Sequence, residues 1–465
     1  MKLPRIAYIA IAGISLYLAL KFFTPSASAE SICEAANNLD RISCGQNIIL
    51  TPADGGQSQP DKISGFAAFK QKDYSKAIDY LKKDWEATKD PESSIALANA
   101  KILRDRPTNV KAIAVVVPRS GSPVFIATNI LKGAAAAQQE WNNNQNHQWK
   151  LLVAIADDRN EPTAGKNIAA ELVKHQDILA VLGHYSSTVT VEVKDIYQQA
   201  KTVLLSATAT ADELTDPDDK DPNNYFFRVL GSTQVSAHHL AQKWVISKDK
   251  IALFYTPDKK FSASFRKAFF TYVPKESVVQ EFDLSNRHEA AQELAAAKAA
   301  GAKVIVLMPD AFTTANERDR VLAVIKANQG ELPILGASPV RDAFLFKLNP
   351  QSLKNLIITI PLHPSDRQFI DAARLDRSPN WWGVKSQLHE RIINSYDGME
   401  VLLAALDKST DRETVRQTIA TPGFSVQGIT GKISFHGSDR AQKIDSLVTP
   451  ISCTEKDGCN FQLVN

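Results

Sequence analysis

The sequence predicts an α/β chain of two lobes, each a doubly wound parallel sheet with helices on both faces, preceded by a short α-helical repeat-like unit. Three observations carry this reading. Strand and helix patterns alternate in two cycles, over 111–230 and 231–361, as parallel sheets with helical crossovers require. The strands are short, uninterrupted apolar runs such as Ala112–Val117, Ile178–Leu182 and Val304–Met308, the composition of strands buried on both sides. Ahead of them, residues 63–106 show helical spacing and no strand pattern. With 465 residues, 44% of them hydrophobic, the chain can fill more than one core.

Met1–Ala29 joins Lys2 and Arg5 to the apolar run Ile6–Leu20, then Lys21, Pro25 and the small-residue site Ala27-Ser28-Ala29. These are the parts of a secretory signal peptide cleaved before Glu30, and export follows from them. Lys21 and the short run keep an uncleaved signal anchor open as the alternative. Cys33 follows Glu-Ser-Ile, without the small residues of a lipoprotein site, so no lipid anchor is expected. Removing the leader takes away Lys2, Arg5 and Lys21 and no acid, so the formal +3 falls to zero. A neutral chain of mixed signs argues against nucleic acid or an anionic membrane as partner. No other stretch is long and apolar enough to span a bilayer.

The four cysteines form two tight pairs at the chain ends, Cys33 with Cys44 and Cys453 with Cys459. In an exported chain this predicts two local disulfides. Neither pair has a C-x-x-C form or a nearby histidine, so no metal is expected. Residues 30–62 make the Cys-containing segment and a Pro/Gly/Gln-rich linker, Thr51–Lys62. Then come helices Ile63–Gln71 and Tyr74–Thr88 about the turn Lys72-Asp73, and a third, Glu92–Leu103, opened by Asp90-Pro91. Gly65, Phe69, Tyr74, Ala77, Ile78 and Leu81 resemble a single tetratricopeptide-type repeat. One such repeat cannot bury its own face. It either leans on the main domain or offers a docking surface to a protein partner.

The first α/β cycle has strands Ala112–Val117, Leu151–Ala156, Ile178–Leu182, Val203–Leu205 and Phe226–Val229, with helices Val124–Trp141, Pro162–Lys174 and Val189–Ala200. The second has helix Val235–Val245, strand Ile251–Tyr255, helices Ser262–Val273 and Glu289–Ala300, strand Val304–Met308, helix Asn316–Asn328 and strands Ile334–Gly336 and Leu356–Ile360. Neither holds a G-x-G-x-x-G after a strand, a P-loop, a G-x-S-x-G elbow or H-E-x-x-H, so an enzyme is not expected. His184, at a strand end, reads as a hydrogen-bonded structural histidine, and Asp157-Asp158 as solvated turn or capping residues.

Between Ile178 and Leu214 one arrangement occurs twice. A buried strand ends, small hydroxyl residues sit on the turn, and a helix begins: first Ser186, Ser187 and Thr188, then Ser206 to Thr210 with a helix start at Ala211. In an open parallel sheet the two turns lie side by side at the carboxyl edge, where helix N-termini aim free N–H groups at a ligand crevice. Taken singly, each turn also reads as an ordinary cap.

The run GHYSS...DIYQQAKTVLLSATATADELT resembles the signature region of the leucine/isoleucine/valine-binding proteins, the type I periplasmic solute receptors of branched-chain amino acid ABC importers, and the resemblance extends from Ile113 to Phe435. It implies a two-lobe type I periplasmic-binding-protein fold joined by a hinge, an amino acid or similar small polar solute held between closing lobes, importer membrane subunits as partners, and no cofactor. Residue matching puts Ser187, with Ser186 beside it, on the ligand's α-carboxylate, and Thr208 and Thr210 between carboxylate and ammonium. Phe261 matches the family's lid tyrosine and Asp310 roughly another. Ser338 stands where the family has an acid for the ammonium, and Phe125 where a tyrosine is common, so either Asp310 takes the ammonium or the ligand is not a simple amino acid. His389–Leu406 is similar to the family's late first-lobe helix, and Gly428–Phe435 to the strand that returns to the second lobe. Crossings near Gly231, Pro361 and Val426 then give lobe 1 as 111–230 plus 362–425 and lobe 2 as 231–361 plus 426–465. A repeat joined to this fold also resembles the outer-membrane activators of peptidoglycan synthases. A regulatory protein without transport is therefore the rival reading, favoured by the altered lid positions as Ser187 and Thr210 favour the receptor.

Overall fold

The computed structural model describes residues 31–464 except 52–58, 120–123, 216–222, 248, 287–288, 312–314, 372–374, 376–387 and 455–457. The leader reading, 1–29, lies outside the described residues. Among those described, no helix is long and apolar enough to cross a membrane.

A short helix α1 (Ile32–Ala35) and a two-residue strand β1 (Ile42–Ser43) open the chain. Helices α2 (Pro60–Lys70), α3 (Tyr74–Thr88) and α4 (Pro91–Asp105) follow. The first α/β unit holds β2 (Val110–Val117), α5 (Val124–Asn143), β3 (Lys150–Asp157), α6 (Pro162–Leu172), β4 (Ile178–Leu182), α7 (Ser187–Gln199), β5 (Val203–Ser206) and β6 (Phe226–Arg228). Its sheet runs β1-β3-β2-β4-β5-β6, parallel but for β1. Alternate side chains of β2 enter opposite cores, as the pleat demands: Ile113, Val115 and Val117 on one face, Ala112, Ala114 and Val116 on the other.

The second unit contains α8 (Thr233–Ser247), β7 (Ile251–Tyr255), α9 (Lys260–Phe269), β8 (Val278–Asp283), α10 (Ala290–Ala299), β9 (Val304–Met308), α11 (Ala315–Asn328), β10 (Ile334–Gly336) and β11 (Leu356–Ile360). The chain then returns to the first unit as α12 (Glu390–Asp407) and α13 (Arg412–Ala420), followed by β12 (Ser425–Gly428), β13 (Gly431–His436), β14 (Asp439–Arg440), β15 (Ser446–Thr454) and β16 (Gly458–Leu463). The second sheet runs β16-β15-β11-β10-β9-β7-β8, with β15 and β16 antiparallel.

Three details differ from the sequence reading. The chain does not cross to the second lobe near Val426. Strands β12–β14 form their own small sheet against α12, where the buried Asp397 carboxylate accepts the Ile429 amide at 2.6 Å and the Thr430 amide at 3.0 Å. The chain joins the second sheet only from β15 onward, with Val448 opposite Ile358. The helix expected at Ala211 is a three-residue 3₁₀ turn, Asp212–Leu214. The 30–62 segment is not merely a linker, since β1 pairs with β3 at the edge of the first sheet.

Cys33 and Cys44 are disulfide-bonded. Cys453 and Cys459 face each other in register across β15 and β16, and their side chains lie outside the described residues. Buried polar groups tie the N-terminal helices to the first lobe. Asn99 of α4 donates to the carbonyls of Cys44 and Val153, both at 2.8 Å, while its oxygen accepts the Val153 amide at 3.2 Å and the Gln138 side chain at 2.9 Å. Glu92 accepts the amides of Ile49 and Leu50 and pairs with Lys62 at 2.8 Å. Phe66, Phe69 and Leu81 belong to the same core as Val116 and Val181.

Asn99→Ala leaves buried carbonyls and amides unpaired, so we expect a loss on the order of 3 kcal/mol in urea unfolding. The loss should fall on one transition that includes the first lobe. A separate early transition, with the remaining midpoint unchanged, would show that the helices fold apart from the lobe.

Candidate functional site

Ser187 stands where α7 begins at the carboxyl edge of the first sheet. Ser186 caps the helix, its hydroxyl accepting the Val189 amide at 3.3 Å. The Ser187 hydroxyl accepts the amides of Thr210 at 3.2 Å and Ala211 at 3.1 Å, binding the two corners together. Those bonds use its lone pairs and leave its O–H to donate outward. Thr208 has spent its proton on the Tyr185 carbonyl, at 2.8 Å. The carbonyls of the second corner are held by Arg228, whose guanidinium is fully buried and reaches Thr210 at 2.8 Å and Ala211 at 2.9 Å. Its Nε lies 2.6 Å from Asp439.

Opposite lies the second lobe. The amide of Lys260, which opens α9, donates to Thr188 Oγ1 at 3.2 Å, and Ser264 Oγ accepts the Asp212 amide at 2.9 Å. Between the lobes a cavity of about 60 Å³ is lined by Ser186, Ser187, Thr208 and Thr210 from one side and Phe261 and Ser338 from the other. Six of the eight ligand residues expected from sequence therefore meet at one place.

The other two do not line it. Phe125 is 37% exposed, its ring 6.5 Å from that of His389. Asp310 is buried behind the wall, next to Ala311, which does line the cavity. Among the described residues neither of its carboxylate oxygens makes a full hydrogen bond. Burial, and then the neighbouring Glu317, push this carboxyl up to about 7, against weaker opposing effects of Lys259 and the amides of Ala311 and Phe261. Asp310, expected from sequence to meet the ammonium, is therefore set back from the cavity.

Sequence reasoning missed the residues that supply charge. Glu390 and Arg391, at the start of α12, line the cavity with Tyr185 and Asn394. Two glycines set that helix close in: a Cβ on Gly133 would lie 2.4 Å from the Ile392 carbonyl, and one on Gly398 2.9 Å from Leu182 and Leu205. Glu390 pairs with Arg341 of the other lobe. His389 Nε2 takes hydrogen bonds from Arg391 at 2.9 Å and Arg341 at 3.1 Å. Burial, with the two guanidiniums, draws the His389 ring down to about 4, so it is neutral there. Burial alone would raise Glu390, but Arg341, then His389 and Arg391, hold its carboxyl well below the usual range. The cavity thus has the charges of Glu390 and Arg391 on one flank and hydroxyl donors with a helix N-terminus on the other.

His184 is structural, as expected. Its buried ring lies between Asp158 Oδ2 at 2.7 Å and the Tyr197 hydroxyl at 3.1 Å. Asp158 itself is buried on this histidine rather than solvated.

A protein-family model described as periplasmic binding protein matches residues 112–451. The chain belongs to the periplasmic binding protein family. It is a binding protein, not an enzyme. Among solved structures, an ABC transporter substrate-binding protein from Desulfitobacterium hafniense, in complex with Leu, superimposes with a TM-score of 0.61 at 20% identity, covering 76% of this chain and 100% of that one. The branched-chain amino acid transporter substrate binding protein LivJ of Streptococcus pneumoniae, in complex with isoleucine, gives 0.60 at 17% identity over 77% of this chain and 99% of its own. A solute binding protein from R. palustris, in complex with 4-hydroxybenzoate, gives 0.63 at 17% identity over 77% and 96%. At such identities the likeness is one of fold. No curated protein sequence matches the chain.

In this periplasmic binding protein, Asp310 makes stability pH-dependent with a definite sign. Its folded value, about 7, lies above the ordinary 3.8, so the folded state keeps a proton that the unfolded chain releases. Stability then falls as pH rises through that window. Thermal melts should show Asp310→Asn gaining on the parent by roughly 2–4 kcal/mol between pH 4 and pH 8. Parallel curves would show that Asp310 is already ionised at low pH.

Proposed function

We propose that this protein is an extracytoplasmic receptor that binds an amino acid, or a similar small carboxylate, between its lobes and hands it to the membrane subunits of an ABC importer. The observation that carries the proposal is the convergence of Ser186, Ser187, Thr208 and Thr210 with Phe261 and Ser338 on one cavity that also receives Glu390. A zwitterion needs donors at one end and an acceptor at the other. The outward O–H of Ser187 and the first-turn amides of α7 suit its carboxylate. Glu390 replaces, from another helix, the acid that Ser338 does not supply. Tyr185, Phe261, Pro339 and Pro361 offer apolar surface to the ligand's side chain. Relatives in fold bound to leucine, isoleucine and 4-hydroxybenzoate support a small carboxylate as the ligand class.

One observation favours a second reading, a regulatory protein that keeps the fold without carrying solute. The cavity holds about 60 Å³, against ~300–1,000 Å³ for ordinary small-molecule sites. Side chains of the two lobes, Arg341 with Glu390 above all, meet across it directly. A guest enters only if the lobes part, and its contacts must then replace those it displaces.

Titration calorimetry of the full exported chain against the amino acids and small aromatic acids separates the readings. The receptor reading expects one class to bind. Ser187→Ala and Glu390→Gln should each weaken that binding at least ~10-fold, about 1.4 kcal/mol. No heat from any of these solutes, with an unchanged melt, would favour the regulatory reading.

A further inference from the structure

A larger hollow, about 450 Å³, shares only Leu230 with the lining of the cleft cavity. One wall is a single face of α8, carrying Gln234, His238, His239 and Gln242. The other is the stretch from β13 to the start of β15, carrying His436, Asp439, Arg440, Lys443 and Asp445. Leu230–Ser232 and Ala441–Asp445, two of the strands that cross between the lobes, pass along it.

The two acids are already engaged. Asp439 takes Arg228 at 2.6 Å. Asp445 is buried and accepts Ser236 and Thr359, both at 2.5 Å, and His239 Nδ1 at 2.9 Å. The cations are less well supplied. The Arg440 guanidinium donates to the carbonyls of Val229 and Thr430, the Thr430 hydroxyl and the Gln442 amide oxygen, and meets no carboxylate within ion-pair distance among the described residues. Its Nε–H is buried without a partner, although Arg440 is only 5% exposed. Burial, opposed by the more distant Asp397, draws its pKa down to about 10, as befits an under-compensated charge. Lys443 and His436 are exposed at the rim, and His239, with Nδ1 on Asp445, turns its other nitrogen away from that acid. The lining thus holds two fixed cations, Arg440 and Lys443, and two histidines, while both of its acids already have partners.

We propose that this hollow is a second binding site, for a small anion of more than one negative charge, a polycarboxylate or a phosphate. Arg440, Lys443, His436 and His239 converge on it from both sides, which no single-charge ligand requires. Because the walls belong to α8 of the second lobe and to the hairpin fixed on the first by Arg228, an occupant sets their separation. The site is thereby linked to the hinge. This inference does not rest on the cleft binding any solute.

The test is calorimetry of the full exported chain with citrate and, separately, inorganic phosphate, each against sodium chloride of equal ionic strength. One equivalent of citrate or phosphate should bind, and the Lys443→Glu, His436→Glu double variant, altered only at exposed side chains, should bind at least tenfold more weakly. Binding by citrate alone identifies a polycarboxylate site, and binding by both a phosphate-compatible one. The proposal is overturned if neither anion binds, if sodium chloride reproduces the heat, or if the double variant binds as the parent does. It is also overturned if Ser187→Ala abolishes the binding, which would place the anion in the cleft.

Discussion

The cleft wall stands because two corners of the chain hold each other. The second turn leans on groups outside it: the amides of Thr210 and Ala211 bond to the Ser187 hydroxyl, and their carbonyls accept from the Arg228 guanidinium. Arg228 is buried without exposure, and a charge in that position is tolerable because each of its three nitrogens donates and Asp439 balances it. The same guanidinium fixes the β13–β14 hairpin against the first lobe, so the cleft and the larger hollow share one anchor. Movement of the lobes must take place around this anchor, not through it.

The N-terminal helices belong to this construction. Helix α4 is buried along most of its length, and Asn99 satisfies backbone groups of the N-terminal arm and of β3 at once. A helix spent in this way has little surface left for another protein. What remains exposed lies mainly on α2 and α3.

Much of the fold was legible because buried parallel strands announce themselves: Ile178–Leu182 and Val304–Met308 are apolar without interruption and end where expected. Strand β8 was not legible, because it lies at a sheet edge with all six side chains partly or fully exposed and reads as polar. Strand β15 pairs with the distant β11 through backbone, and β16 only extends that edge, which leaves little trace in composition. Within the site, Ser187 and Thr210 were found because the corner that makes them useful is local. Glu390 and Arg391 reach the cavity through the packing of α12 against Gly133 and, at its own Gly398, against Leu182 and Leu205, contacts between distant parts of the chain that no local pattern encodes. For Asp310 the local pattern gives the place, just past a strand end, while its burial is a property of the folded surroundings.

Direct contact between the lobes and a small cavity mean that the chain can act as a receptor only by opening. Spin labels on Asp195→Cys of α7 and Lys267→Cys of α9, both exposed sites flanking the cleft, would report this by pulsed electron resonance. The receptor account requires two distance populations for the protein alone and loss of the longer one when solute is added. A single short distance, unchanged by every small carboxylate tried, would contradict it.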